Sequence, residues 1–409
     1  MPDKFKFVEN GSITTPAGFS AAGITCGLKK SGNPDMALIV SDVPATFSGA
    51  FTTCKFAAAP VQLCKERVLK QDKIRAVIIN SGNANACTGK QGYEDAVEMC
   101  GLTAAGLGIS PDEVMVSSTG RIGVHMPMNI ISAGIDKATK ALDPDGGITA
   151  AKAIMTTDTV PKYAAVSVEL SGGVVSIGGI TKGAGMIDPN ITVPHATMLA
   201  YVTTDADIDN KLLAEFLGKG AEYSFNRINI DGDMSTNDSL IIMANSVSGV
   251  KVTPGSEDAE IFYQALQQLL QELAKKMVRD GEGVTKFVTV NVDGAASAAD
   301  ARMCAEAVCN SLLCKTAWFG CDPNWGRVIA AIGYSGADFK PENVKLDYDD
   351  MPVVRDGQDA GTPEALLAQL LQKGEFTVSI DLGAGNYDYQ MWTNDVSYEY
   401  VKINAEYHT

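Results

Sequence analysis

At 409 residues the chain exceeds one ordinary core, and its length suggests two or three domains. Hydrophobic residues make up 45% and charged residues 20%, the balance of a soluble globular protein that buries a large core without disulfide or metal staples. A net charge of −16 offers no basic field to nucleic acid or an anionic membrane surface, and it suits a cationic small molecule.

The nine cysteines are spread out, odd in number and free of CxxC pairs, so neither a disulfide framework nor a zinc site is indicated. They read as small buried hydrophobes of a reducing compartment. The N-terminal segment lacks an apolar signal core and an Arg-rich transit pattern. No apolar run is long enough for a membrane helix. The expected location is cytoplasmic.

In chain order, residues 37–41 (ALIVS) and 76–80 (AVIIN) read as buried strands, and 93–107 and 128–142 as alanine-rich helices. Residues 164–170 and 174–179 flank Ser171-Gly-Gly173, a hairpin signal. Residues 198–203 read as a further buried strand. The clearest helix covers 257–279, where Phe262, Leu266, Leu269, Leu270, Leu273 and Met277 form a stripe at helical spacing. Residues 286–292 alternate as a strand, 299–313 read as a helix, and a helix over 364–372 precedes a strand over 376–382. The mixture predicts an α/β or α+β fold.

One stretch departs from this rhythm. The glycine-rich turn Lys182-Gly-Ala-Gly185 leads through two prolines into the dipeptide Ala196-Thr197, and a strand follows. A threonine at such a strand start is either an ordinary β-branched strand residue or a hydroxyl that attacks the preceding carbonyl. In the second case, an N-to-O acyl shift and ester hydrolysis free the α-amine of Thr197. That amine, with a pKa near ~8, serves as local base for its own hydroxyl. Three histidines, with His125 and His408 in no triad-like motif, leave little material for a conventional triad.

The neighbourhood of Thr197 distinguishes these readings by resemblance. The chain carries, in order, Ser41-Asp-Val-Pro44, Ala57-Ala-Ala-Pro-Val61, Asn80-Ser-Gly-Asn-Ala-Asn-Ala86, Ser117-Ser-Thr-Gly120 and Met155-Thr-Thr-Asp158. Lys182-Gly-Ala-Gly-Met-Ile187, Ala196-Thr-Met-Leu199, Phe225-Asn-Arg227, Asp231-Gly-Asp233 and Ser235-Thr-Asn-Asp238 follow. Asp280-Gly-Glu-Gly283, Asp322-Pro-Asn-Trp-Gly-Arg327 and Val401-Lys-Ile-Asn404 complete the set. Together these segments resemble the ArgJ family, the glutamate N-acetyltransferase/ornithine acetyltransferases of arginine biosynthesis, nearly end to end.

The resemblance implies self-cleavage between Ala196 and Thr197, giving an alpha fragment of residues 1–196 and a beta fragment of residues 197–409. It implies the DmpA/ArgJ-like layered α/β sandwich of the N-terminal-nucleophile type, with a smaller α/β domain in the second fragment. Thr197 becomes the nucleophile, and Thr119 and Gly120 match the oxyanion pair. Thr157, Lys182, Thr197, Glu282, Asn404 and Thr409 match substrate-binding positions. Taken alone, Ser118-Thr119-Gly120 is an ordinary strand-to-turn segment, and Lys182 and Glu282 read as solvated loop charges. Use of Asn404 and Thr409 requires the C-terminal tail to fold back into the site.

The implied reaction moves acetyl from N2-acetylornithine to Thr197 and then to glutamate. It calls for no metal and no organic cofactor. Bifunctional members also accept acetyl-CoA, although no glycine-rich phosphate cradle marks a site for it. The implied assembly is a heterotetramer of two alpha and two beta fragments.

The chain departs from the family pattern before the scissile bond, where Ile191-Thr-Val-Pro-His195 stands in place of a single residue. The intact Ala-Thr-Met-Leu register points to a surface bulge, with His195 a loop residue or a local base for cleavage. Trp392-Thr-Asn-Asp395 also differs from the usual glycine- and cysteine-containing version. Two other readings remain open: an N-terminal-nucleophile aminopeptidase or amidase of the same fold, and an uncleaved, non-catalytic member.

Overall fold

A computed structural model describes residues 4–188 and 198–406. The first part runs β1 (Phe5–Phe7), β2 (Phe19–Ile24), β3 (Met36–Phe51), α1 (Ala59–Lys70), β4 (Lys73–Asn83), α2 (Gly89–Leu107), β5 (Val114–Arg121), α3 (Met128–Lys140) and α4 (Gly147–Ala153). It continues through β6 (Lys162–Leu170), β7 (Gly173–Lys182), β8 (Leu199–Thr204), β9 (Asp207–Ile208), α5 (Asn210–Glu222), β10 (Ser239–Ala244), β11 (Lys251–Val252) and α6 (Glu257–Arg279). The remainder comprises β12 (Phe287–Ala295), α7 (Ala298–Asn310), α8 (Leu312–Phe319), α9 (Trp325–Tyr334), β13 (Lys345–Tyr348), β14 (Met351–Arg355), β15 (Gln358–Asp359), α10 (Glu364–Leu371), β16 (Glu375–Asp381), β17 (Tyr387–Asn394) and α11 (Tyr398–Glu406).

The larger sheet has the order β1-β6-β7-β8-β10-β3-β4-β5, with β2 beside β3. Its central strands are apolar on both faces because both faces are covered. Leu199 and Tyr201 of β8 enter the core formed with α1–α4, whereas Ala200 and Val202 enter the core formed with α5 and α6. β10 divides in the same way, Ile241 and Met243 against Leu240, Ile242 and Ala244. The period of two along each strand thus feeds two cores from one sheet. These layers are the expected α/β sandwich.

β3 is longer than the 37–41 segment read from sequence, because Pro44 does not end it. The register shifts between Val40 and Ala45, and the exposed Asp42, Val43 and Pro44 bulge out of the pairing. The first half then pairs with β2 and β4, and Thr46–Phe51 pairs with β10.

The α6 helix matches its expected limits. Ser256 caps it by accepting from the Ala259 N–H at 3.1 Å, acidic residues occupy its first turn, and Lys276 and Arg279 its last. Its apolar stripe is buried in the core with α5, β6 and β7.

The smaller layer is a sheet of order β15-β14-β13-β16-β12-β17, whose core includes side chains of α7–α10. The helix expected over 299–313 is two helices. α7 ends at Asn310 and Ser311 starts α8 by accepting from the Cys314 N–H at 3.3 Å, so local capping chemistry overrides the apolar continuity. The change of direction lets Cys304, Cys309 and Cys314 enter one core despite their five-residue spacing. Across the chain, Cys64, Cys100, Cys304, Cys309 and Cys314 are buried, Cys26, Cys54 and Cys321 are partly buried, and Cys87 is exposed. No helix among the described residues is long and apolar enough to cross a membrane.

Candidate active site

Thr119 and Gly120 are the last residues of β5 before Arg121 ends it, and β5 runs parallel to β4 with Ser81 opposite Thr119 and Gly82 opposite Gly120. The backbone at Gly120 has φ +127°, and a Cβ there would lie 2.5 Å from the Gly82 carbonyl carbon and 2.7 Å from the Asn83 nitrogen. Only glycine fits both the dihedral and the close approach. Asn237, itself buried, fixes this strand end by donating from Nδ2 to the carbonyls of Ser118 at 2.8 Å and Ala84 at 2.5 Å.

A buried ion cluster positions the next wall. Lys162 Nζ lies 2.5 Å from both Asp158 Oδ1 and Asp280 Oδ2. Asp158 also accepts from the Thr156 N–H at 2.9 Å and the Gly183 N–H at 2.8 Å. One carboxylate therefore fixes both the turn carrying Thr157 and the start of the loop after Lys182. Burial pushes the Asp158 carboxyl upward, yet the charges of Lys162 and Lys182 hold it below its ordinary value. Asp280 ends α6, and Glu282 lies two residues beyond it.

Glu282 is 8% exposed, so it is not a solvated loop charge. A Cβ at Gly185 would meet its carboxyl at 2.6 Å, and this glycine lets the side chain turn inward. The α11 helix folds back far enough for Asn404 Nδ2 to donate to Glu282 Oε2 at 2.6 Å. Beyond Glu282, Asp395 accepts from the Thr285 and Lys286 N–H groups at 2.8 and 2.9 Å. Buried Lys315 ties down the neighbouring Thr393 and Asn394, and burial pulls its ammonium down to about 8. The divergent segment 392–395 is thereby built into the support of the Glu282 loop.

Thr119, Gly120, Thr157, Lys182, Glu282 and Asn404 line one cavity of about 370 Å³. The structure brings together these sequence-selected residues from five separate stretches of chain. Ala196, Thr197, His195, the rest of the 191–195 insertion and Thr409 lie outside the described residues. Lys182 is half-buried, and its ammonium has no hydrogen bond or ion pair among the described residues. Burial lowers its pKa, opposed by the charges of Asp158 and Asp238.

Among the lining residues to which sequence reasoning gave no role is Asp238, although Ser235-Thr-Asn-Asp238 stood out as a segment. It is 3% exposed, and its Oδ2 has no hydrogen-bond partner among the described residues. Burial raises its carboxyl well above the ordinary range, against the charge of Lys182 and hydrogen bonds from Ser235 and the Met198 N–H. The pairing of β8 with β10 brings this carboxyl beside Met198, whose carbonyl accepts from the Ser239 N–H at 2.5 Å. The sequence signals were that segment and an acidic residue directly before an apolar strand.

A pocket with a glycine-ended strand, an ammonium unpaired among the described residues and two buried carboxyls suits acyl transfer on an amino-acid substrate. The ArgJ family model matches residues 20–409. The "Arginine biosynthesis bifunctional protein ArgJ" of Symbiobacterium thermophilum is 48% identical over 402 residues, covering 98% of this chain and 99% of that protein. The protein of the same description from Geobacter sulfurreducens is 50% identical over 394 residues, covering 96% and 99%. The "Glutamate N-acetyltransferase" of Methanocaldococcus jannaschii is 48% identical over 411 residues, covering 98% and 100%. Matched along nearly its whole length by the family and by relatives at these identities, the chain belongs to the ArgJ family.

Proposed function

We propose that this chain is an acetyltransferase that moves acetyl from N2-acetylornithine to glutamate through an ester on Thr197. The convergence of Thr119, Gly120, Thr157, Lys182, Glu282 and Asn404 on one cavity carries this reading. The names of the bacterial and archaeal relatives agree with it.

In the first half-reaction the Thr197 hydroxyl attacks the acetamide carbonyl and its proton passes to the Thr197 amine. The Thr119 hydroxyl and Gly120 N–H donate to the oxyanion. The C–N bond breaks, the amine returns the proton to the leaving nitrogen, and ornithine departs. Glutamate then attacks the ester, a new C–N bond forms, and the threonine hydroxyl is restored. Lys182 holds a substrate carboxylate, and Glu282, oriented by Asn404, receives an ammonium. Asp238, brought beside Met198 by the pairing of β8 with β10, offers Oδ2, unpartnered among the described residues, to the α-amine of Thr197. These steps balance without a metal or a redox group. Acetyl-CoA is the second donor in this reading, consistent with the bifunctional description of the relatives.

Self-cleavage before Thr197 generates the nucleophile, with fragments 1–196 and 197–409 staying associated in a heterotetramer of two and two. Their association is supported by the sheet order, in which β8 and β10 of the second fragment sit between β7 and β3 of the first. A biosynthetic role of this kind places the protein in the cytoplasm.

The test is to incubate purified protein with N2-acetylornithine, with and without glutamate. Glutamate-dependent N-acetylglutamate supports the transferase; release of free acetate without N-acetylglutamate identifies a hydrolase instead. Denaturing electrophoresis then shows two fragments for the native chain and one full-length band for Thr197→Ala. A single full-length band from active native protein overturns the cleavage reading.

A further inference from the structure

Beside the catalytic cavity lies a second one of about 600 Å³, sharing Gly120 and Thr156 with it. Its described lining contains Lys29, Lys30, Arg121 and His125 and no Asp or Glu. In a chain of net charge −16 this is a local reversal of sign. Lys30, Arg121 and His125 are exposed, and their side chains have no hydrogen bond or ion pair among the described residues.

The walls are held from beneath. Buried Asp35 accepts from the backbone N–H groups of Cys26, Gly27, Leu28 and Lys29, wrapping that loop around one carboxylate. Lys29 Nζ spans the cavity floor by donating to the Pro34 carbonyl at 2.8 Å and the Met155 carbonyl at 2.6 Å, so it is a strut rather than a free charge. On the other side, buried Asn83 donates to the carbonyls of Val124 and His125, both at 3.2 Å. The unpaired cations therefore stand on preformed loops, and little ordering is needed when an anion binds.

We infer that this groove binds the phosphate-bearing carrier of an acyl thioester such as acetyl-CoA, with the thioester laid across Gly120 toward the catalytic cavity. The inference rests on the acetyl-transfer reading and adds to it a separate site for one donor. Lys30, Arg121 and His125 meet the phosphates, and the carrier arm spans the shared wall. The thioester C–S bond breaks as the ester C–O bond to Thr197 forms, and the hydroxyl proton leaves with the thiol. N2-acetylornithine carries no phosphate and makes no use of the groove.

The test compares native protein with the double variant Lys30→Glu, Arg121→Glu, each supplied with glutamate and either acetyl-CoA or N2-acetylornithine. The KM for acetyl-CoA is expected to rise by about tenfold or more, since each lost charged contact is worth a sizeable part of a decade. The kinetics with N2-acetylornithine stay unchanged, which shows that the fold and the nucleophile are intact. Dephospho-acetyl-CoA, with fewer phosphates, loses less. An unchanged acetyl-CoA KM, or equal impairment with both donors, overturns the assignment. So does native protein that uses N2-acetylornithine but not acetyl-CoA, and in that case the transferase reading stands. Transfer from neither donor removes both.

Discussion

Asn404 Nδ2 donates to Glu282 Oε2 across 2.6 Å, joining residues 122 positions apart. The contact ties the C-terminal helix to a carboxylate on the loop after α6, and it is the means by which the tail completes the cavity. Removing one hydrogen bond to a charged group costs about 1.5–3 kcal/mol where it is buried, and the exposed side of Asn404 reduces that. Asn404→Ala is therefore expected to raise the KM for N2-acetylornithine roughly tenfold with little change in thermal stability. An unchanged KM in steady-state assays would show that the contact does not position substrate.

Gly120 makes a sharper prediction. Alanine there must take up φ +127° and bring its Cβ to 2.5 Å from the Gly82 carbonyl carbon. The backbone moves, at a cost of about 1–3 kcal/mol, and the donor turns away from the oxyanion. Turnover of Gly120→Ala is expected to fall by roughly 10²–10³-fold, read as kcat alongside a melting curve. A variant with native kcat places the oxyanion elsewhere.

Asp238→Asn separates function from stability. With its native pKa raised by burial, the folded state holds the proton more tightly than the unfolded state, where the value is near 3.8. Asp238 therefore costs stability as pH rises above that value. The asparagine variant is expected to be at least as stable as native protein near neutrality and to lose the downward slope. Its turnover falls about 10²-fold or more if the carboxyl serves the proton transfers. Denaturation across a pH series and kcat measured on the same samples decide the matter; full activity in the variant would leave Asp238 a structural residue.

Lys162 carries the opposite sign. Asp158 has a native pKa below its unfolded value near 3.8, so its contribution is complete above that value and is lost as pH falls through the lower native one. Lys162→Met strands Asp158 and Asp280 in a buried site and is expected to cost about 3–5 kcal/mol at neutral pH. The loss should shrink on acidification as the stranded carboxylates take up protons. A pH-independent loss would point to packing of the lysine stem instead of its charge.

Sequence periodicity determined the central strands and α6 because apolar residues there repeat at the spacing of the element itself. The run of motifs likewise determined the family and selected the residues proposed for the site. Local chemistry hidden inside apolar runs defeated the same reasoning at Ser311, where a cap splits one expected helix, and at Pro44, which a bulge within β3 carries out of the pairing. Only the tertiary structure made Asp158, Lys162 and Asp280 one ion cluster, returned Asn404 to Glu282, and set Asp238 and Lys182 on the wall of one cavity. These relationships connect residues far apart in the chain. No local periodicity encodes them, because they arise from which strand ends the sheet order brings together and from how strongly burial then acts on the charges placed there.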